Sequence, residues 1–444
     1  MWAKIAVIHC EQKIVYLPSS FAAVCGSTSV IRLGGRSAAA NIEYRDDLLL
    51  TAAHSYDAPG RIELSDKLRD EILLAEPLVY RVRIDADGIT LGPVIGLLLG
   101  EATERYNPSH MAKYSDRFGV YHRLGGLIYA FSPKFIQWKD RTAYGLYYNT
   151  ATATWEYGRF PLPEVIYRRD FHSEPEIIAK LIRYTHGRLF NSYRFTKYEL
   201  YDFIQRDDRL RKYLPPTEHS SGFEQLKEFI GRHRKVILKP VHLSRGRGIC
   251  IIEKKAAQYQ VIDFRCKHPL VYQLYNERFF ENFCAVYQDL FDKYLVQKYL
   301  PLAQIAGAPF DIRAVMQKRP DRSWLCAGIE CRVSNNGYLT NISRGGYALP
   351  LDEALRKAFG ADDGALPERI DRFCDDFCQY MDTLGEHFAE FGLDIAIDTD
   401  KQLWLIEANV FPSFKGFKTM DHETYLGIRY NPMLYAASLT QFGE

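Results

Sequence analysis

Short segments rich in apolar residues, separated by polar stretches, recur through the first ninety residues. Gly, Asp and Ser interrupt these runs at short intervals, a pattern typical of strands joined by tight turns. The predicted strands are "KIAVIHC" (4–10), "KIVYLP" (13–18), "TSVIRLGG" (28–35), "SAAANIEYR" (37–45), "LLLTAA" (48–53) and "VYRVRIDADGITLG" (79–92). Residues 1–90 are therefore predicted to form a β-rich domain, and they contain no catalytic constellation.

The pattern changes at "GPVIGLLLG" (92–100), an apolar strand followed by a predicted helix around 108–123. The strand-like runs "GLIYAFSP" (126–133) and "PEVIYRR" (163–169) come next. Strands that alternate with helical segments predict a small α/β domain over residues 91–185.

The remainder reads as mixed α+β structure. Helices are predicted near 174–186, 194–206 and 367–391, with a helix-rich piece from about 255 to 290. The predicted strands are 235–240, 249–254, 293–300, 311–317 and 323–334, and a hairpin over 392–409 closes the chain. The fold class predicted for the whole chain is α+β.

Composition and charge exclude several classes of protein. The 444 residues carry a formal net charge of +2, so the chain has no electrostatic footprint for nucleic acid. Nine scattered cysteines, with no secretory signal before them, predict reduced thiols and a cytoplasmic location. The longest apolar run, 92–100, is too short for a membrane span.

The closing hairpin, "GLDIAIDTDKQLWLIEAN" (392–409), brings two acids together. A turn centred on 400–401 pairs residues whose numbers sum to 801, which places Asp394 directly across from Glu407. A period of two would also put Leu403 and Leu405 on the same face as Glu407. Directly opposed side chains lie about 5 Å apart.

Two carboxylates that face each other destabilise a sheet unless a cation lies between them or one of them is protonated. Asn409, two residues after Glu407, adds a neutral oxygen. Asp394, Glu407 and Asn409 together form an incomplete set of oxygen ligands, which suits Mg²⁺ when nucleotide phosphates and water supply the others. The alternative is a hairpin end whose acids are merely solvated.

A glycine-containing loop joins two apolar strands in "KVILKPVHLSRGRGICIIEK" (235–254). Backbone N–H groups around Ser244, Gly246 and Gly248 could form an anion-binding concavity, with Lys239 supplying positive charge for a phosphate. The loop leads into a strand and lacks the Walker spacing. An ordinary turn is the alternative.

Three further segments offer polar groups. In "LVQKYLPLAQ" (295–304), the chain leaves a strand and could present backbone groups to a nucleobase, with Gln304 near a ribose. Arg313 and Arg332 lie on consecutive predicted strands, and Asn341 follows in a polar loop. Convergent guanidinium groups suit a transferring phosphoryl group or a substrate carboxylate. Lys197, on a helix, would ordinarily be a solvated charge.

The order of these segments resembles the ATP-grasp superfamily. The segments "GPVIGLL", "ILKPVHLSRGRGI", "PFDIRAVMQK", "TNISRGG" and "WLIEANVFPS" are most similar to the endospore coat-associated YheC/YheD group. The resemblance implies an ATP-grasp fold, in which two α+β subdomains, 186–300 and 301–444, enclose the nucleotide. A pre-ATP-grasp domain (91–185) and the β-rich domain (1–90) would precede them.

The resemblance also implies roles for individual residues. Lys197 and Lys239 would contact the phosphates of ATP, and the loop from Ser244 to Gly248 would cover them. Asp394, Glu407 and Asn409 would bind Mg²⁺. The adenosine would be held by Gln297, Lys298, Tyr299, Leu300 and Gln304. Arg313, Arg332 and Asn341 would act on the transferred phosphoryl group or on an acyl phosphate.

Several positions depart from the family pattern. Ala408 stands where a valine is usual, and Gln297 and Gln304 replace acids that are common in the hinge. Some relatives have an arginine two residues before the metal-binding aspartate, where this chain has Gly392. The role of that arginine would therefore fall to Arg313 or Arg332.

The activity implied is that of an ATP- and Mg²⁺-dependent ligase, which joins a small-molecule or peptide carboxylate to an amine through an acyl phosphate. Two alternatives stay open at this point. One is a spore-coat assembly protein that binds nucleotide without turnover, and the other is a kinase of the same fold.

Overall fold

The computed structural model describes residues 1–170, 172–241, 248–266, 268–288, 293–334, 346–360 and 365–443. Four sheets account for its strands. No helix in these ranges is both long and apolar enough to cross a membrane.

A closed β-barrel occupies the first 92 residues, in the strand order β1-β5-β2-β4-β3-β7-β6. Alternation builds its interior, because every second residue from Ala38 to Ile42 in β4 is buried. The strands are β1 (Trp2–Ile8), β2 (Ile14–Pro18), β3 (Thr28–Leu33), β4 (Arg36–Arg45), β5 (Gly60–Ser65), β6 (Val79–Asp85) and β7 (Gly88–Gly92), with one helix, Asp66–Ile72.

The strand predicted at 48–53 is wrong. Leu48 and Leu50 are buried and Leu49 is exposed, so the segment has the alternation of a strand. It makes a backbone hydrogen bond to β5, from the N–H of Arg61 to the carbonyl of Leu49. The strand in that part of the barrel is Gly60–Ser65.

A second, mixed sheet has the order β11-β10-β9-β8-β12-β13. The helix predicted around 108–123 is two short α-helices, Pro108–Met111 and Tyr121–Leu124, joined by a 3-10 segment, Ala112–Val120. A further helix, Pro175–Tyr184, lies close to its predicted position. The strands are β8 (Val94–Leu98), β9 (Leu127–Gln137), β10 (Thr142–Asn149), β11 (Thr154–Pro161), β12 (Val165–Arg168) and β13 (Leu189–Phe190).

A third sheet, here called the nucleotide sheet, is antiparallel in the order β14-β19-β15-β16-β17-β18. Helices Phe223–His233 and Glu277–Val286 cover one face through a core that includes Leu238 and Val296. The helix-rich prediction to residue 290 is wrong, because two strands precede the second helix. The strands are β14 (Thr217–His219), β15 (Lys235–Pro240), β16 (Cys250–Lys255), β17 (Gln258–Asp263), β18 (Leu270–Leu274) and β19 (Tyr294–Lys298).

A fourth sheet is antiparallel in the order β23-β22-β21-β24-β25, and β20 pairs with β21. It is here called the catalytic sheet, after the role that the resemblance implies for it. Its apolar face packs on helices Leu351–Phe359, Leu366–Asp382 and Lys197–Gln205. The long helix ends at Asp382 and not near 391, and Gly385 follows with a positive φ of 79°. The strands are β20 (Gln304–Ile305), β21 (Ala308–Lys318), β22 (Trp324–Val333), β23 (Tyr347–Leu349), β24 (Glu390–Ile397) and β25 (Leu403–Asn409).

Two helices absent from the predicted elements, Lys415–Met420 and His422–Ser438, follow the hairpin. The last helix joins the core of the barrel and the second sheet through residues that include Met433 and Tyr435. A buried polar network fastens the second sheet to the catalytic sheet: Tyr167 Oη and Arg169 Nη1 donate to Glu390 Oε2 at 2.9 and 2.8 Å.

The division of the chain into four domains stays a prediction. Strand β13, at Leu189–Phe190, belongs to the second sheet, while the helix Lys197–Gln205 packs on the core of the catalytic sheet.

Candidate active site between the nucleotide and catalytic sheets

A row of four charged residues crosses the catalytic sheet. In this row Glu330 of β22 lies opposite Arg313 of β21, Arg313 opposite Asp394 of β24, and Asp394 opposite Glu407 of β25. The pairing of Asp394 with Glu407, predicted from the hairpin, is confirmed. Since directly paired residues share a face, all four side chains lie on one side of the sheet.

The hairpin reaches this pairing by a different route from the predicted one. Near the turn, Ile397 pairs with Leu403, so the numbers sum to 800, and Lys401 has a positive φ of 62°. An irregularity between Asp394 and Ile395 adds one residue on β25 and restores the sum of 801. The turn is therefore one residue longer than predicted, and a bulge at Ile406 compensates.

Because of the bulge, the prediction that Leu403 and Leu405 share a face with Glu407 is wrong. Leu403 and Leu405 belong to the buried core together with Ala408 and Val410, not to the face that carries Glu407. A bulge shifts the alternation of a strand by one residue. Glu407 and Asn409 consequently project toward the site while the leucines before them pack beneath the sheet.

Two arginines hold Asp394. Its Oδ1 accepts from Arg313 Nε at 2.6 Å and lies 3.1 Å from Arg332 Nη2. Arg332 also donates from Nε and Nη2 to both oxygens of Asp311, each at 2.6 Å. Burial disfavours the charged form of Asp394, but the two guanidinium groups outweigh burial and hold its pKa below the usual value.

Gly392 lies beneath the side chain of Arg313. A Cβ atom at position 392 would come within 2.5 Å of Pro412 Cβ and 3.3 Å of Arg313 Cδ. The space that a side chain at 392 would need is thus occupied by Arg313, which reaches Asp394 from the neighbouring strand.

On the nucleotide sheet, a hydrogen-bonded chain fixes Lys239. Its Nζ donates to Gln297 Oε1 at 2.7 Å, and Gln297 Nε2 donates to Thr217 Oγ1 at 2.8 Å. Burial lowers the pKa of Lys239 to about 8, with Lys197 acting in the same direction and Glu407 and Asp394 opposing it. Lys239 is therefore within electrostatic reach of both acids of the catalytic sheet.

Lys197 begins the helix that follows a capping box. Thr196 accepts from the N–H of Glu199, and the Glu199 side chain accepts from the N–H of Thr196. This cap fixes the first turn, from which Lys197 extends its Nζ to 3.8 Å from Glu407 Oε1. The lysine that sequence alone would treat as solvated therefore faces the paired acids.

A pocket of about 410 Å³, its open mouth included, lies between the two sheets. Next to it on the nucleotide sheet is an apolar patch, defined as Ile237, Ile249, Ile251, Ile262, Phe264 and Tyr299. Residues that line the pocket include Lys197, Thr217, Lys239, Gln297, Leu405 and Ile406. The pocket thus combines positive charge with an apolar wall.

The predicted adenosine-binding segment, Gln297 to Leu300 with Gln304, is partly engaged in hydrogen bonds within the chain. The N–H of Lys298 donates to Pro216 and that of Tyr299 donates to Lys235, whereas the N–H of Leu300 makes no hydrogen bond to the described part of the chain. Gln297 is committed to Lys239 and Thr217, and Gln304 is exposed.

Three predicted site residues, Ser244, Gly246 and Asn341, lie outside the described residues. Gly248, the last residue of the loop, has a positive φ of 75°. Asn409 is half-buried and pairs with Gly392 in the hairpin. In the ranges that the structure describes, no group of three or more His, Cys, Asp or Glu residues is placed to hold a metal ion.

Sequence reasoning missed Asp311, Glu330 and Arg194. Asp311 and Glu330 each lie two residues from a predicted arginine, a spacing that places them on the same face of a strand. Burial lowers the pKa of Arg194, and Arg168 adds to this effect while Asp170 and Glu407 oppose it. Arg194 therefore also lies within electrostatic reach of the paired acids.

A lysine on one antiparallel sheet and a second lysine at the start of a helix both face paired carboxylates on another antiparallel sheet, across a pocket with an apolar wall, as in an ATP-grasp protein. The chain belongs to the YheC/D like ATP-grasp family, whose model matches residues 186–439.

Two curated relatives from Bacillus subtilis (strain 168) are similar over most of the chain. The endospore coat-associated protein YheD is 25% identical over 367 residues, which is 79% of each chain. The endospore coat-associated protein YheC is 24% identical over 343 residues, which is 76% of this chain and 92% of the relative.

Solved structures resemble the chain at lower identity. The ATP-grasp ligase PsnB, complexed with a minimal precursor, Mg and ADP, is 13% identical with a TM-score of 0.43, over 78% of this chain and 98% of that one. The ADP complex of N5-carboxyaminoimidazole ribonucleotide synthetase is 10% identical with a TM-score of 0.45, over 74% and 73%.

Proposed function

We propose that this protein is an ATP- and Mg²⁺-dependent ligase that joins a carboxylate to an amine through an acyl phosphate and releases ADP. The observation that carries the proposal is the meeting of charges between the two sheets. Lys197 Nζ lies 3.8 Å from Glu407, and Lys239, on the facing sheet, interacts electrostatically with the same acid. Cations and acids placed together in this way suit a triphosphate and its metal ion.

Lys197 and Lys239 would bind the phosphates. The low pKa of Lys239 reflects burial, and a bound polyanion would reverse this effect by stabilising the charged ammonium. Adenine would lie against the apolar patch, where the N–H of Leu300 is available as a donor. Gln297 would act by holding Lys239 in place. The closing of the loop around Ser244 and Gly246 over the phosphates stays a prediction.

The acids of the hairpin fit a divalent cation. Asp394 Oδ1 is held by arginines and Glu407 Oε1 faces Lys197, but the described residues make no hydrogen bond to Asp394 Oδ2 or Glu407 Oε2. These two oxygens and the amide of Asn409 would hold Mg²⁺, which would offset charge on the phosphates.

Arg313 and Arg332 would bind the substrate carboxylate and the phosphoryl group that it receives. Arg313 is buried and the side chain of Arg332 is only 11% exposed, so their electrostatic effect on a bound anion is weakly screened. In the first step the carboxylate oxygen attacks the γ-phosphorus of ATP and ADP leaves. In the second step an amine attacks the acyl carbon, the amide bond forms and phosphate leaves.

A coat-assembly protein that binds nucleotide without turnover is the second candidate, and the names of the two Bacillus subtilis relatives, both endospore coat-associated proteins, favour it. The arrangement of Lys239, Asp394 and Glu407 favours the ligase, because a site without turnover does not require Mg²⁺ ligands beside the phosphate-binding lysines. Nine free thiols are consistent with the cytoplasmic location that we propose.

A coupled assay of ADP release tests the ligase proposal. Amino acids, peptides and cell-wall precursors are supplied as carboxylates and amines, singly and in pairs. We expect ADP release that needs one carboxylate and one amine, and its loss in Glu407→Gln. Asp400→Asn, an exposed acid in the turn of the same hairpin, is the matched control. ATP turnover that no pair stimulates would contradict the proposal, and phosphorylated product that persists with amines present would identify a kinase.

A further inference from the structure

Glu330 is a buried acid at the end of the charged row, and the roles proposed above do not include it. Its side chain is 2% exposed, and Oε2 has no hydrogen-bond partner among the described residues. The neighbouring cations are already engaged, since Arg313 binds Asp394 and Arg332 binds Asp311. A buried oxygen without a hydrogen-bond partner is unfavourable, so a group from a ligand is the partner to look for.

The position of Glu330 in the row indicates which ligand group this is. The row runs from Glu407 through Asp394 and Arg313 to Glu330. Adjacent strands lie about 4.8 Å apart, so Glu330 is roughly 10 Å from Asp394 and 14 Å from Glu407. The phosphate-binding lysines stand at the Glu407 end, and Glu330 therefore lies beyond the arginines on the side away from the nucleotide.

The surroundings of Glu330 favour its neutral form. Helices that follow the hairpin pack against the same strand two residues before Glu330, where a Cβ at Gly328 would meet Thr424 and the ring of Phe417. Burial raises the pKa of Glu330 to about 7, with Asp311 and Asp394 adding to the effect and Arg313 and Arg332 opposing it. A carboxyl group with this pKa can take up and release a proton near neutral pH.

We propose that Glu330 is a catalytic residue that binds the incoming primary amine and accepts its proton as the amide forms. The inference rests on the proposed ligase function. The amine nitrogen forms a bond to the acyl carbon, the bond from that carbon to the phosphate oxygen breaks, and phosphate leaves with the electron pair. One amine proton passes to Glu330 Oε2 and then to water. The amine of an amino acid or peptide is the substrate class that this requires.

The test separates the two chemical steps in Glu330→Gln. The first step is followed without amine, as positional exchange of oxygen-18 between the bridge and the non-bridge positions of labelled ATP in the presence of the carboxylate. The second step is followed as amide formation after the amine is added. We expect Glu330→Gln to keep the exchange and to lose amide formation by about 100-fold or more, the usual contribution of a general base.

Three controls keep the outcomes distinct. Glu63→Gln changes a buried acid of the barrel, 3% exposed, and is expected to leave both steps unchanged. Glu407→Gln is expected to lose both steps. Glu330→Asp retains a carboxyl group, so it is expected to recover part of the amide formation.

The role of Glu330 is overturned if Glu330→Gln forms the amide at the wild-type rate, or if it loses both steps equally. Either result leaves the ligase proposal itself intact. An absence of exchange in the wild-type protein with every carboxylate overturns the ligase proposal itself. If Glu330→Gln does not fold, the ratio of amide formation to oxygen exchange is measured in Glu330→Asp instead. A ratio equal to that of the wild type overturns the inference.

Discussion

Replacing Glu330 by Gln should stabilise the protein above neutral pH and have no such effect in acid. The fold raises the pKa of Glu330 from 4.5 to about 7, chiefly through burial. The folded state therefore binds more protons than the unfolded state between these values, and stability falls as the pH rises through this window. The cost is complete above about pH 7 and absent below 4.5.

The size of this change in stability follows from the rise in the pKa of Glu330. A difference of about 2.5 units, at about 1.36 kcal/mol per unit, corresponds to roughly 3 kcal/mol, or a factor of about 300 in the equilibrium between closed and open states. Gln has the same shape and does not titrate. Burying the Gln amide changes the free energy of unfolding by an amount that does not depend on pH. The pH-dependent part of the difference between wild type and Glu330→Gln therefore measures the carboxyl group alone.

Amide hydrogen exchange of β21 and β22, read by mass spectrometry, is the appropriate assay, because it reports local opening in a chain with several cores. Wild type and Glu330→Gln are compared at each pH, so intrinsic exchange rates cancel. The ratio of protection in the variant to protection in the wild type should be about 150-fold greater at pH 8 than at pH 4.5. A ratio that does not change with pH would refute the reasoning, because Glu330 would then have an ordinary pKa.

Three other predictions concern the arginines, the lysine and the glycine of the site. Binding of ADP with Mg²⁺ at pH 8 should take up protons, because the phosphates restore the positive charge of Lys239. Calorimetry in buffers of different ionisation heat would measure this uptake. Lys239→Met should abolish the uptake and weaken ADP binding by about 30-fold. Arg313→Met should lower the thermal midpoint, since breaking a buried ion pair costs about 3–5 kcal/mol, and adding Asp394→Asn should recover part of the loss. Gly392→Ala should destabilise by about 1–3 kcal/mol and slow ADP release, because the new methyl group would overlap Pro412 Cβ at 2.5 Å and press on Arg313 Cδ at 3.3 Å; a normal melting curve with full activity would contradict this.

The hairpin shows how far the sequence alone could lead. The pairing of Asp394 with Glu407 was predictable because two apolar strands flank a short polar turn. The bulge at Ile406 was not, because Leu403 to Ile406 are apolar on both faces and give no signal of a change in alternation. The twist and packing of the whole sheet decide where such an extra residue goes.

Glu330 and Lys197 illustrate a different limit. The Glu-x-Arg spacing places Glu330 on the face of Arg332, but whether an acid has a partner depends on strands distant in sequence. The capping box before Lys197 is readable locally, whereas its approach to Glu407, some two hundred residues away, is not. The sequence predicts the types of chemistry, and tertiary structure decides which charges meet.

The last helix, His422–Ser438, completes the hydrophobic core of the barrel and the second sheet, and Phe442 beyond it packs where a Cβ of Gly92 would otherwise lie. On the ribosome, this core cannot be completed before residues 422–442 have been synthesised. The barrel and the second sheet therefore remain incompletely packed while the nucleotide and catalytic sheets are made.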